Sequence, residues 1–231
     1  MEKYRCTAIV LAAGQGKRMN SKIQKQFLEL NGYPVLWYSL RCFQQSPLIQ
    51  DVILVTGEGE ISYCKKEIVD RFGFDKVRAV ISGGKERYDS VYAGLCACQN
   101  TDYVFIHDGA RPFVTEEILQ RGFAAVQDTG ACAAGMPSKD TVKLADAAGY
   151  VAETPERSRV GNVQTPQIFR YALIRSAYDA IQKKDMSKIT DDAMVAEQEA
   201  GVKVRLFEGS YRNIKITTPE DLASAESFVK H

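Results

Sequence analysis

A chain of 231 residues with 45% hydrophobic and 26% charged side chains is long enough to bury one large core and too apolar to be a disordered tail. Its 30 basic and 29 acidic residues nearly cancel. A broad positive field for nucleic acid is therefore excluded, and any phosphate the chain binds must be gripped locally by a few placed cations.

The N-terminal apolar run is too short to span a membrane and lacks the layout of a signal peptide, so a cytoplasmic chain with no membrane partner is expected. Strands are predicted at Thr7 to Ala12, Val52 to Val55, Val77 to Ile81, Tyr103 to His107 and Ala131 to Met136. Helical periodicity lies between them at Val35 to Phe43, Ile61 to Phe72, Ser90 to Cys98 and Glu116 to Val126. This alternation predicts an α/β fold, a mainly parallel sheet with helices on both faces, in a single domain covering residues 1–231. The rhythm breaks over 138–159, where short alternating segments surround an Ala-Ala-Gly turn and offer little to a core, as a protruding β-arm would. A hairpin that long is marginal alone, and a second copy of the chain is the simplest thing for it to pack on, so a homodimer through the arm is expected. Helices follow near Ala172 to Lys183 and Asp191 to Ala200, then strands at Lys203 to Leu206 and Asn213 to Ile216. A last helix opens at Thr218, where a threonine cap, Pro219 and the acidic Glu220 and Asp221 agree with one another.

In such a sheet ligands bind beyond the carboxyl ends of the strands. The first strand runs into Leu11-Ala-Ala-Gly-Gln-Gly-Lys-Arg-Met19, where Ala12, Ala13, Gly14 and Gly16 let backbone amides approach an anion closely. The dinucleotide fingerprint would need a third glycine at Met19, and the P-loop would need Ser or Thr where Arg18 stands. An NAD-dependent oxidoreductase is thereby disfavoured. Lys17, Arg18, Lys22 and Lys25 add cations, so the segment reads as a polyphosphate wrap, with a solvated basic turn as the alternative. After the third strand comes Ser82-Gly-Gly-Lys-Glu-Arg-Tyr-Asp-Ser-Val91, which is either a nucleobase pocket or simply a helix capped by Asp89 or Ser90. The fourth strand ends in His107-Asp-Gly-Ala-Arg-Pro112, where Asp108 and Arg111 could form an ion pair and His107 reads as a packed residue rather than a base. Six cysteines, Cys6, Cys42, Cys64, Cys96, Cys98 and Cys132, need no disulfide framework at this length, and the single residue between Cys96 and Cys98 does not fit a zinc site.

Seven motifs, LAAGQGKRM, KQF, SGGKERYDSV, HDGARP, QTPQIF, TDDA and NIKITTPEDL, follow one another from Leu11 to Leu222, so the match they carry spans essentially the whole chain. The chain so resembles the 2-C-methyl-D-erythritol 4-phosphate cytidylyltransferases, within the Rossmann-like nucleotidyltransferase fold. The related ribitol 5-phosphate enzymes commonly read HDSVRP and TDAC instead, which favours the methylerythritol acceptor. A non-catalytic nucleotide-binding module of the same fold is the remaining alternative, which the joint presence of Arg18, Lys25 and Lys215 argues against. The resemblance implies CTP and a small polyol phosphate as substrates, with Mg2+ held mainly by the CTP phosphates. It implies Arg18 and Lys25 as the cations on the triphosphate, and Ala12, Ala13, Gly84 and Ser90 as the cytidine pocket. Asp108 and Gly109 would serve the ribose and polyol region. Lys215 and Arg157 would position the acceptor's phosphate, with Arg111, Thr141 and Thr165 nearby, Arg157 and Thr141 acting on the neighbouring subunit's site. Read without the resemblance, Lys215 is a surface lysine on an edge strand. Lys85 stands where relatives are often acidic and is left out of the expected site.

Overall fold

The computed structural model describes residues 4–14, 23–182 and 184–229. Its centre is a sheet of seven strands: β1 (Cys6–Ala12), β4 (Ile49–Thr56), β5 (Val77–Ser82), β6 (Tyr103–Asp108), β7 (Ala131–Pro137), β10 (Gly161–Arg170) and β11 (Arg205–Glu208), ordered β11-β7-β10-β6-β1-β4-β5. Adjacent strands run parallel except at β10, which lies antiparallel to both β6 and β7. The sheet is therefore mixed but mostly parallel. Two short hairpins stand apart from it, β2 (Glu29–Leu30) with β3 (Tyr33–Pro34), and β8 (Leu144–Ala145) with β9 (Val151–Glu153).

The near-continuous apolar runs of the parallel strands are explained by burial on both faces. Alternate residues such as Ala8, Val10, Leu54 and Phe105 point to one side, where they meet Leu36, Leu40 and Phe43 of α1 (Val35–Gln45) and Ile118, Leu119 and Val126 of α4 (Glu116–Thr129). Their neighbours Ile9, Ile53, Val55 and Ile106 point to the other, against Val91 and Leu95 of α3 (Arg87–Ala97), Ile174 and Tyr178 of α5 (Tyr171–Ile181) and Val195 of α6 (Asp192–Ala200). Helices thus cover both faces, as the periodicity predicts. A satellite cluster of Leu30, Val35, Ile216 and Ala225 seats α7 (Pro219–Val229) beside the first hairpin.

Four expectations need correction. The stretch Asn213 to Ile216 forms no strand; it is an extended loop held by hydrogen bonds, including Ile216 N–H to the Ala110 carbonyl at 2.9 Å. The strand of the other late pair begins at Arg205 rather than Lys203. The helix read over Ile61 to Phe72 has those bounds but not one geometry: it is α-helical at α2 (Ile61–Tyr63), widens into π turns over Cys64–Asp70 and is α-helical again at residues 71 and 72. The cap of α3 is Glu86, which forms a capping box with Asp89 and leaves Ser90 inside the helix for another task. Unanticipated altogether was β10, whose polar Gln164-Thr-Pro-Gln167 run hides a strand with both neighbours in place.

At its base the 138–159 segment continues the pairing of β7 with β10, closing at Pro137 opposite Gly161. Because β7 runs parallel to β6, the segment leaves the sheet on the side where β6 ends. Its tip turns at Gly149, with φ of +87°, while the Asp146 carboxylate accepts the amides of Ala148 and Tyr150 at 2.9 Å each.

Candidate active site

The carboxyl ends of β1, β5 and β6 open onto a cleft of about 540 Å³. Ala12, Ala13 and Gly14 line it from the end of β1, Gly84 and Ser90 from the turn into α3, Asp108 from the end of β6, and Lys25 and Lys215 from loops. Gly16 and Arg18 lie outside the described residues. Lys85, which the sequence reading left out, also lines the cleft, as do Gln26, Glu86 and Arg87.

Backbone closeness is built in here. A Cβ on Gly83 would stand 2.8 Å from that of Ala13, and one on Gly84 would stand 2.2 Å from Cβ of Asp89, so only glycine lets the α3 turn approach β1. The Ser90 hydroxyl accepts the Gly84 amide at 3.2 Å and donates to the Glu86 carbonyl at 3.3 Å, which holds that turn in shape. On the opposite wall the buried Gln26 amide donates to the Ala12 carbonyl at 2.5 Å, tying the short turn of Lys25–Phe27 to the end of β1. A Cβ on Gly14 would lie 3.9 Å from Lys25 Cε, so the lysine stem runs beside Gly14.

A second cleft of about 270 Å³ adjoins the first and is lined by Arg111, Thr165, Gln167, Thr190 and Asp191. The two share Arg87, Asp108 and Lys215. Asp108 is the junction: its Oδ2 receives Lys215 Nζ at 2.8 Å, and its Oδ1 receives Arg87 Nε at 3.2 Å. The expected Asp108 to Arg111 pair is looser, at 3.8 Å, because the Arg111 guanidinium donates to the Asn213 carbonyl at 2.8 Å instead. Burial alone would raise the Asp108 carboxyl, but Arg87, Lys215 and Arg111 outweigh it and hold it well below the usual carboxylate range. Asp108 is therefore an anion throughout the physiological range.

His107 is fully buried behind this junction, and burial pushes its imidazole down to about 4, so it is neutral. Its Nε2 lies 3.1 Å from the Arg111 carbonyl, which can only accept, so Nε2 carries the proton. Nδ1 then accepts the Thr165 hydroxyl at 3.0 Å, and that hydroxyl oxygen accepts the Asp108 amide at 3.1 Å. His107 and Thr165 thus fix the end of β6. Gly109, expected in the polyol region, lies behind the wall: a Cβ there would meet Leu36 Cδ1 at 2.8 Å and the Leu11 carbonyl at 3.0 Å. Within this chain Thr141 and Arg157 are exposed on the arm and line neither cleft.

Sequence reasoning missed Arg87, Asp192 and Gln167. Their signal was present in the SGGKERYDSV, TDDA and QTPQIF motifs, but their roles depend on contacts far apart in the chain. Among the described residues no group of three His, Cys, Asp or Glu side chains could hold a metal ion, and no helix is long and apolar enough to cross a membrane.

Comparison with known proteins gives a consistent result. Residues 6–231 match the family described as IspD: 2-C-methyl-D-erythritol 4-phosphate cytidylyltransferase. The chain is 48% identical over 230 residues to the protein of that name from Lachnoclostridium phytofermentans, covering 100% of this chain and 97% of the relative. To the one from Clostridium perfringens it is 46% identical over 223 residues, covering 96% and 98%. Among solved structures, 4-diphosphocytidyl-2C-methyl-D-erythritol synthase of Anaerococcus prevotii superposes with a TM-score of 0.87 at 32% identity over the full length of both chains. The Thermus thermophilus cytidylyltransferase superposes at 0.77 and 30% identity, covering 96% of this chain and 98% of that one.

Proposed function

The chain belongs to the 2-C-methyl-D-erythritol 4-phosphate cytidylyltransferase family, and from that membership we propose how its two clefts perform the family's reaction. The enzyme transfers the cytidylyl group of CTP to 2-C-methyl-D-erythritol 4-phosphate in isoprenoid precursor synthesis, giving 4-diphosphocytidyl-2-C-methyl-D-erythritol and pyrophosphate. The observation that supports the division of labour is the pair of adjoining clefts, one large and one small, with the Lys215 ammonium at their junction.

CTP occupies the larger cleft, its base against Ala12, Ala13, Gly84 and Ser90 and its triphosphate against the Gly14 to Gly16 loop, Arg18 and Lys25. An oxygen of the acceptor's phosphate attacks the α-phosphorus. The new P–O bond forms as the bond from that phosphorus to the bridging oxygen of the β-phosphate breaks, and pyrophosphate leaves with the electron pair. No protein nucleophile and no proton transfer are required, so the protein acts by positioning and by meeting charge. Lys215 takes the acceptor's phosphate, with Asp108, Arg111 and Thr165 shaping the polyol side. Arg157 and Thr141 reach this side from the arm of a second copy. Exposed Leu144, Tyr150 and Val151, close together on the arm, support such a homodimer, because an isolated hairpin is marginal and a partner surface would bury them. Mg2+ supplies charge neutralisation on the triphosphate, and the site fits an ion held mainly by the nucleotide, since both oxygens of Asp108 are already engaged. A cytoplasmic location agrees with these water-soluble substrates.

The test is pyrophosphate release from CTP and magnesium with methylerythritol phosphate, with ribitol 5-phosphate and with no acceptor. Release only with the first is expected. Release only with ribitol phosphate would overturn the acceptor, and no release with either would leave a nucleotide-binding module.

A further inference from the structure

Arg87, at the junction of the clefts, and Asp192, buried behind it, have no part in the reaction as written above. Asp192 opens α6 with no solvent exposure. Both terminal nitrogens of Arg87 donate to it, at 2.9 and 2.8 Å, and the Tyr178 hydroxyl donates to Oδ1 at 2.6 Å. A buried carboxylate is tolerated only when its lone pairs are used, and this bidentate fork uses them. Burial would lower the Arg87 guanidinium, but Asp192 and then Asp108 outweigh it and hold it well above its ordinary value.

The fork leaves Arg87 Nε pointing at Asp108 Oδ1, which it meets at 3.2 Å. With Oδ1 held by Arg87, rotation of the carboxylate is restrained, and Oδ2 is what it presents to Lys215 at 2.8 Å. The fork itself is anchored, because the Gln167 side chain accepts the Ala193 amide at 2.8 Å and donates to Asp191 at 2.9 Å, pinning the first turn of α6 to β10. We propose that Arg87, locked by Asp192, is a positioning residue that orients the Asp108 carboxylate and through it aims the Lys215 ammonium at the acceptor's phosphate. This rests on the role given to Lys215 above. A merely structural ion pair would hold α3 to α6 and affect both substrates alike. The chain of contacts instead ends on Lys215, the residue given to the acceptor's phosphate above.

The test is steady-state kinetics on the full-length protein, with a melting temperature for each variant. R87Q/D192N exchanges both charges for amides, so neither is left buried and unpaired. Arg87→Lys keeps the charge but cannot supply a planar fork and a third donor together. Tyr178→Phe removes one hydrogen bond from Asp192 and leaves every ion pair in place. In the first two the acceptor KM should rise about tenfold while the CTP KM stays within about twofold, and in the third the acceptor KM should rise about twofold, as expected when a ligand-orienting contact is lost. KM values that move together, or an acceptor KM unchanged in any variant that folds, would overturn the positioning role. Wild-type protein that turns over no methylerythritol phosphate would overturn the functional reading, and the proposal with it, before any variant is compared.

Discussion

Acidification should destabilise this protein through one residue in a defined pH window. His107 is buried and neutral, with its imidazole lowered from 6.5 to about 4. Between those values the unfolded chain binds a proton that the folded one refuses, so stability is complete above pH 6.5 and is lost as the pH falls towards 4. At pH 5 the loss is about 2 kcal/mol, from about 1.4 kcal/mol for each pH unit below 6.5. The window is clean because the sequence holds only two histidines, the other being the terminal His231, and because the depressed Asp108 loses its contribution only at lower pH. Urea unfolding at pH 7.5 and pH 5 measures the difference directly. His107→Gln, whose amide can still donate to the Arg111 carbonyl, should be less stable at neutral pH but should lose about 2 kcal/mol less on acidification. Parallel losses in the variant and the wild type would refute the argument and assign the acid sensitivity elsewhere.

Arg157→Ala should abolish turnover with CTP affinity largely kept, measured by pyrophosphate release and by calorimetry; unchanged activity would remove the arm from the mechanism. Mixing Arg157→Ala protein with Lys215→Ala protein should restore part of the activity if each site draws on two chains, and no restoration would count against that sharing. Gly109→Ala should lower stability by about 1 to 3 kcal/mol in urea unfolding, because its Cβ would meet Leu36 at 2.8 Å and the Leu11 carbonyl at 3.0 Å. CTP with magnesium should raise the melting temperature progressively above its Kd, whereas NAD should not shift it.

The parallel strands were legible because burial on both faces demands unbroken apolar runs, and the helices because one face of each must meet that sheet. Ala12 to Gly14, the α3 turn and Asp108, which line one cleft, could be singled out because residues that end such strands have few structural reasons to be small or charged. β10 was hidden for the converse reason. Gln167 and Thr165 are polar yet buried, and their hydrogen bonds to Asp191, Ala193, His107 and Asp108 come from elements distant in the chain. Lys215 looked like part of an edge strand, whereas Arg111 and the Asn213 side chain, which donates to the Thr165 carbonyl at 2.8 Å, hold its loop against the site. Sequence by itself therefore determined the layers, the edge of the sheet where the clefts open and the chemical class, since these follow from local periodicity and from motifs read in order. Only the tertiary structure decided that Arg87, which is 105 positions from Asp192, bridges that buried carboxylate to Asp108, because a charge can be buried only where folding delivers its partner.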